Sequence, residues 1–381
     1  MSLTANIYPR TIALSDNPIK LEISSSSLVT YKIKEGDDIL YTGSVEKGVS
    51  STYINEIVSS IVSPTLLPVT GSDELIFPVS NNLKEYTVEL SNTEGENTVV
   101  NHKVLLGGIS KRAMRDLHSV GKNIFTSKLL NNTANFLMTT RTEEKYVTIK
   151  ETELYPLLFI APSDTILLRS KSHSGVSVEI NNLTEGNLYA LHIDNVRKIF
   201  FSEHNTLCNS FQLHSSAGHA ADIIITPAEI EKERYCLQFL NSYGSYERIE
   251  VCGHPTKEQE SKEEDTYNEY DEVVNDYVEM RNRVKRKESI KVSTGVKTAE
   301  ELLFLYDMIC STEIYLIGYE DRHIRVNVSA DNAAVSKSLG EPTSIELALR
   351  FIDTETHFTH ELPDEIGSAR IHDDKFNYTF N

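Results

Sequence analysis

Apolar and polar residues alternate one for one along much of the first hundred positions. Ile19, Leu21 and Ile23 are separated by polar residues, as are Val29, Tyr31 and Ile33, the two-residue period of a strand with one face in a core. Gly36-Asp37-Asp38 supplies a turn into Ile39-Leu40-Tyr41, which predicts a hairpin. Over Ser51–Val62 the period changes. Ile54, Ile57, Val58 and Ile61 recur at helical spacing and predict one helix with an apolar face. Strands resume at Leu75–Val79, Tyr86–Leu90 and Thr98–Leu106, with Ser91–Asn97 as a polar turn. Short strands so spaced predict a sandwich rather than a parallel sheet, crossed by the one helix.

Gly107-Gly108 marks a break, and Ser110–Phe125 reads as a connector helix. From Phe136 to Gly253 the chain is β-rich again, with strands at Tyr146–Lys150, Leu157–Ile160, Thr165–Arg169, Val176–Ile180, Leu188–Ile193, Phe211–Leu213, Ile223–Ile225, Arg234–Asn241 and Ile249–Val251. Asn241-Ser242-Tyr243-Gly244-Ser245 predicts a hairpin turn with Gly244 at positive φ. In the last hundred residues Thr298 and Glu301 form a capping box, ahead of an apolar helical face at Leu302, Leu305, Tyr306 and Ile309. Strands at Glu313–Ile317, His323–Val328 and Ser344–Phe351 follow. Phe376, Tyr378 and Phe380 alternate in the polar tail and predict an edge strand for a neighbour.

The fold class read from this pattern is mainly β with an α+β C-terminal part: two β-sandwich- or barrel-like domains followed by a helix-plus-strands unit. Its boundaries are an N-terminal sandwich over 1–108, a basic connector over 109–135, a second β domain over 136–256, an acidic/basic insertion over 257–288 and an α+β unit over 289–381. No period of 20–50 residues repeats, which argues against a solenoid or propeller.

Charge refines this picture. The 381 residues carry a formal net charge of −19, a balance that argues against sequence-independent nucleic-acid binding and against docking on anionic lipid. The charge is not spread evenly. Glu258–Glu279 holds ten acids and one base, and Arg281, Arg283, Lys285, Arg286 and Lys287 follow with no acid between them. Tyr267, Tyr270, Val273, Val274, Tyr277 and Val278 interrupt the acidic run, which implies apolar surface to be covered. The connector is locally basic, with Lys111, Arg112, Arg115 and Lys122 against Asp116. A charge run is usually a solvated face. Read instead as contacts between subunits, these blocks nominate Lys111, Arg112, Arg115, Glu263, Glu264, Asp265, Asp271, Glu272, Arg281, Arg283, Lys285 and Arg286.

Catalytic signatures are missing from the pattern. There is no GxSxG elbow, Walker A loop or GxGxxG fingerprint. His214 with His219 and His357 with His360 lack a carboxylate in metal-binding register, and the acids of Glu263–Asp276 lack the glycine-centred spacing of a calcium loop. Neither a metal nor a cofactor is expected. Cys208, Cys236, Cys252 and Cys310 have no CxxC spacing and read as buried thiols in a reducing compartment, with Cys236 and Cys252 able to face each other across a hairpin. Cys208 with His204 and Glu151 with Glu153 beside Tyr155 are the nearest approaches to catalytic pairs. No signal peptide or membrane-spanning run is visible, so synthesis in the cytoplasm without membrane insertion is expected.

The order RYCLQFLNSYGSYERIEVCG (Arg234–Gly253), an acidic insertion, SIKVSTGVKTAEELLFLYDMICSTEIYLI (Ser289–Ile317) and SIELALRFID (Ser344–Asp353) resembles structural proteins from phages and prophages of Bacteroides-like bacteria. NPIKLEISSSSLVTYKIKEGDDILYTGSV (Asn17–Val45) is similar to their opening. The resemblance spans Pro18–Val62 and Leu157–Phe351 and consists of turn and strand patterns. It implies a non-enzymatic tail or baseplate component, made in the bacterial host and carried in the virion. Its implied partners are copies of itself in a symmetric ring and other tail proteins. It carries over no active-site residues. The alternative is a carbohydrate- or receptor-binding adhesion module, with eighteen tyrosines to stack on sugars in a chain without tryptophan.

Overall fold

The computed structural model describes residues 2–67, 74–126, 137–141, 146–173, 175–205, 207–216, 218–228, 234–295, 299–319, 322–330 and 344–352, with the backbone alone at 253–265, 281–286, 299–300, 319 and 322. The chain is mainly β, with a helix and strands together toward the C-terminus, as the pattern predicts. It divides into two compact units. The first comprises Met1–Pro227 with Leu240–Glu247, the second Ala228–Phe239 with Arg248–Asn381.

In the first unit, a five-stranded sheet runs in the order Ile12–Leu14, Asn97–Leu105, Leu83–Asn92, Val29–Glu35, Asp38–Val45, and a three-stranded sheet in the order Thr4–Tyr8, Lys20–Ser25, Gly48–Tyr53. The alternating residues Leu21, Ile23, Val29 and Ile33 are fully buried in one core with Tyr86, Val88 and Leu90. The predicted hairpin forms, with Gly36 at φ +58°. The predicted helix shrinks to one α turn, Asn55–Val58, and one 3-10 turn, Ser59–Ile61. β-branched residues propagate a helix poorly, and Ser59 and Ser60 donate back to the carbonyls of Glu56 and Ile57, which competes with helical pairing.

The rest of this unit holds a five-stranded sheet (Tyr146–Lys150, Gly218–Thr226, Ser210–Ser215, Ile166–Ser170, Ser177–Ile180) and a three-stranded sheet (Leu157–Ile160, Leu188–Leu191, Ile76–Pro78). Ile76–Pro78, grouped by pattern with 1–108, therefore pairs with Leu188–Leu191. Helix Ile193–His204 was not read from the pattern. Ile193, Val196 and Phe200 form its buried face, but Ile193 also extends the preceding strand's apolar run, and that hides the start.

The second unit is a closed barrel in the order Arg234–Leu240, Tyr246–Asp271, Asp276–Ser293, Glu346–Phe351, Arg322–Ala330, Ile314–Tyr319. Arg234–Leu240, grouped by pattern with the second β domain, thus lies beside C-terminal strands. Helix Ala299–Cys310 buries Leu302, Phe304, Leu305 and Met308 among Leu237, Phe239, Val251, Val292, Leu316 and Leu347. The predicted face is rotated: Tyr306 and Ile309 are half-buried, while Phe304 and Met308 go inside. Phe304 meets Phe239 with ring centroids 5.1 Å apart, an aromatic contact that outweighs helical spacing alone. Thr298 of the capping box, His357 with His360, and the Phe376–Phe380 alternation lie outside the described residues.

Candidate functional site

Two barrel strands continue well past their neighbours. Glu346–Phe351 borders Asp276–Ser293 only at Ser289–Ser293. Arg234–Leu240, seven residues joined by a tight turn, can flank only the first residues of Tyr246–Asp271. From Gln259 opposite Glu288 to Asp271 opposite Asp276, the described residues form a ribbon of two strands with no third. At the usual strand rise this arm is roughly 40 Å long. A two-stranded ribbon is marginally stable by itself in water, so its own side-chain chemistry decides whether it holds.

The charge blocks supply that chemistry. Glu258–Asp265 has five acids and one lysine, and the facing Arg281–Glu288 has five bases and one acid. The ladder sets Glu260 opposite Lys287, Ser261 opposite Arg286, Lys262 opposite Lys285, Glu263 opposite Val284 and Asp265 opposite Arg283, and Glu264 falls in the bulge between. Unlike charges directly opposed, as at Glu260 with Lys287 and Asp265 with Arg283, favour strand pairing by roughly 0.2–1 kcal/mol each, while the like pair Lys262 with Lys285 opposes it. The acidic and basic candidates are therefore brought together within one hairpin. Asp265 stands opposite Arg283, which was not legible from composition because register, not content, decides which residue meets which.

Beyond this neutral base the arm ends in a different surface. Thr266–Met280 holds Glu269, Asp271, Glu272, Asp276 and Glu279 with no base. Asp271 organises the turn: its carboxylate accepts from the backbone N–H of Val273 at 2.7 Å and of Val274 at 3.3 Å. Asn275 takes the left-handed conformation at φ +57° and its side-chain carbonyl accepts from the Tyr270 hydroxyl. Tyr270 lies opposite Tyr277, ring centroids 5.4 Å apart and edge to face, while Tyr267 lies opposite Met280 on the other face of the ribbon. The apolar interruptions were expected to be covered. They are not: Val273 is 94% exposed and Tyr277 68%.

The basic candidates Lys111, Arg112 and Arg115 stand exposed on helix Lys111–Ser119. Ser110 caps it, accepting from the Ala113 N–H at 3.1 Å. Lys111 and Arg112 occupy the first turn, where the helix dipole disfavours cations, and no residue of the helix is buried. Ala113, Met114 and Leu117 nevertheless form a half-exposed apolar stripe that Val120, 67% exposed, extends.

The turn Asn241–Ser245 proves structural. Gly244 sits at φ +71°. Asn241 is buried and fully engaged, donating to the Met138 carbonyl and to Glu247 at 3.0 and 2.7 Å and accepting from the N–H groups of Tyr243 and Ser245. Glu247 also accepts from the Thr139 hydroxyl at 2.6 Å and meets Arg141 at 3.3 Å. Arg141 in turn reaches Glu153 at 2.7 Å. This buried Arg141–Glu153–Glu247 cluster was not read from the sequence, where Glu247 lies more than ninety positions from the other two.

The remaining chemical candidates are held in ordinary contacts. Glu153 is bound by Arg141, and Glu151 meets Arg197 at 2.8 Å, so each carboxylate of that pair has a guanidinium partner. Cys208 is buried, its thiol 3.2 Å from the Ser170 hydroxyl and from the Ser210 carbonyl. All four cysteines are free thiols. His214 and His219 are cross-strand partners, ring centroids 5.5 Å apart. His219 meets Asp222 at 2.8 Å and Lys171 meets the other Asp222 oxygen at 2.8 Å. Burial raises the Asp222 carboxyl, but those hydrogen bonds outweigh it and hold it below its ordinary value. Among the described residues no group of three or more His, Cys, Asp or Glu is arranged to hold a metal ion, and no helix is long and apolar enough to cross a membrane.

No protein-family model matches the chain, and no curated protein matches it. Among solved structures it has likenesses to a 1.5-MDa bacterial ice-binding adhesin studied for host cell surface retention (10% identity, 76% of this chain and 92% of that one, TM-score 0.17). Others are the periplasmic chaperone SfaE (7%, 59% and 100%, TM-score 0.18) and a calcium-stabilised ice-binding adhesin of an Antarctic bacterium (10%, 76% and 69%, TM-score 0.15). At these scores the likenesses carry no argument about function.

Proposed function

We propose that the chain is a non-enzymatic structural component of a phage or phage-derived tail or baseplate, packing as repeated copies in a symmetric ring alongside other tail proteins. The observation that supports this reading is the arm. A ribbon roughly 40 Å long, neutral along its base and ending in exposed Tyr267, Tyr270, Val273 and Tyr277, reaches away from the barrel strands. Exposed apolar residues at an unpaired ribbon end are a liability unless a partner covers them, and tyrosine is among the residues that dominate binding energy at interfaces. The tail assignment itself rests on the resemblance carried by Arg234–Gly253, Ser289–Ile317 and Ser344–Asp353. A contact between different patches on successive copies closes into a ring when the rotation permits.

Replacing 259–288 by an Asn-Gly turn tests this. The deletion shortens two barrel strands but leaves their core residues Ile249, Val251, Ile290 and Val292 in place, so a folded chain that has lost its oligomeric mass in light scattering is expected; a deleted chain that assembles like the parent counts against the proposal. The exposed tyrosines also favour a second reading, a carbohydrate- or receptor-binding module in which Tyr267, Tyr270 and Tyr277 stack on sugar rings. Glycan-array binding lost on Tyr277→Ala would favour it.

A further inference from the structure

Resting on the assembly reading above, we infer that the arm tip of one copy docks on helix Lys111–Ser119 of the next copy. The tip carries Glu269, Asp271, Glu272, Asp276 and Glu279 and no base. Two such tips repel, so a second tip is a poor occupant, and the acceptor must be basic and apolar together. Helix Lys111–Ser119 has both properties. Lys111, Arg112 and Arg115 are exposed on it, and Ala113, Met114 and Leu117 line it as a half-exposed stripe. It is also the one α-helix among the described residues in which nothing is buried, and its first-turn bases work against its own dipole. Neither feature serves the fold of the copy that carries it. An acidic partner reverses the dipole penalty and covers the stripe. The tip brings apolar groups of matching kind, with Val273 and Val274 at the turn and Tyr270 against Tyr277 beside it. Charge sets orientation and encounter rate, and the valines and tyrosines supply the burial. The contact is head to tail, one patch on a different patch, as ring closure requires.

A charge-exchange experiment on the full chain tests this. One variant reverses the tip (Glu269→Lys, Glu272→Lys and Glu279→Lys) and another reverses the helix (Lys111→Glu, Arg112→Glu and Arg115→Glu). All six side chains are exposed, and circular dichroism checks that both variants fold. Each variant alone is expected to need at least about tenfold more protein than the parent to reach half assembly by light scattering at low salt. An equimolar mixture is expected to recover assembly, because a positive tip then meets a negative helix and a negative tip meets a positive one. A single chain carrying all six changes is expected to recover it too. If the parent assembles and either variant alone assembles equally well, or the mixture stays dissociated, the docking site is wrong while the assembly reading stands. A parent that is monomeric at every concentration overturns the assembly reading itself.

Discussion

Two glycines at the Gly107-Gly108 break and the Asn241–Ser245 turn show how single residues set this structure. A Cβ on Gly244 would lie 2.6 Å from the Leu106 carbonyl oxygen, and one on Gly107 would lie 2.4 Å from that of Ser242. Each also has positive φ, +71° and +113°. Gly36 shares the positive φ, +58°, but has nothing within 4 Å. The comparison separates two costs. Gly36→Ala carries only the left-handed penalty, roughly 1 kcal/mol, whereas Gly244→Ala adds a clash with backbone that cannot move aside and costs at least ~3 kcal/mol. Equal losses in urea denaturation would show that the close approach contributes nothing. A second residue-scale effect is pH dependence. His102 is buried, its Nε2 donating to the Pro9 carbonyl at 2.7 Å and its Nδ1 accepting from the Tyr86 hydroxyl. Burial pulls its pKa below the ordinary value against the pull of the Pro9 carbonyl, and burial lowers His192 and His214 in the same direction. The unfolded chain therefore binds protons first. Stability is full above the ordinary histidine range near 6.5 and falls as pH drops from there toward the lower folded values. Unfolding midpoints that stay flat from pH 7.5 to 5 would contradict this, and His102→Gln is expected to flatten part of the slope.

At the scale of elements, the period-2 strands were legible because one face of each is buried: Leu21, Ile23, Val29 and Ile33 read as strand residues before any coordinate is known. Elements whose pattern is shared with a neighbour were not. The start of helix Ile193–His204 is masked by the strand it follows, and the face of helix Ala299–Cys310 is set by Phe239 rather than by its own spacing. Phe304→Ala is expected to cost about 3–5 kcal/mol, and Tyr306→Ala much less, since Tyr306 is only half-buried. The arm was legible as composition and illegible as structure. Nothing in the run Glu258–Glu279 says which of its residues stand opposite Arg281–Lys287 across a ladder. That ladder predicts a measurable coupling. Glu260→Lys and Lys287→Glu are each expected to loosen the ribbon, and the double exchange to recover roughly 0.2–1 kcal/mol of the sum. Amide hydrogen exchange across 259–288 reads it, and strictly additive effects would contradict the register.

The whole molecule separates its duties. The formal −19 is not a uniform acidic coat: the base of the arm cancels its own charge and the tip keeps five uncompensated carboxylates, while a basic helix in the other compact unit buries none of its residues. Charge of this kind gives orientation and salt sensitivity more than affinity. Fold class was open to sequence reasoning at this scale because it follows from periodicity. The site was half open, since the residues could be nominated but not their partners. Electron microscopy of the purified full chain with its mass measured in the same buffer tests the central claim most directly. Closed rings or stacks at low salt that fall apart to monomers at high salt are predicted; a chain that stays monomeric at every salt and concentration contradicts the account.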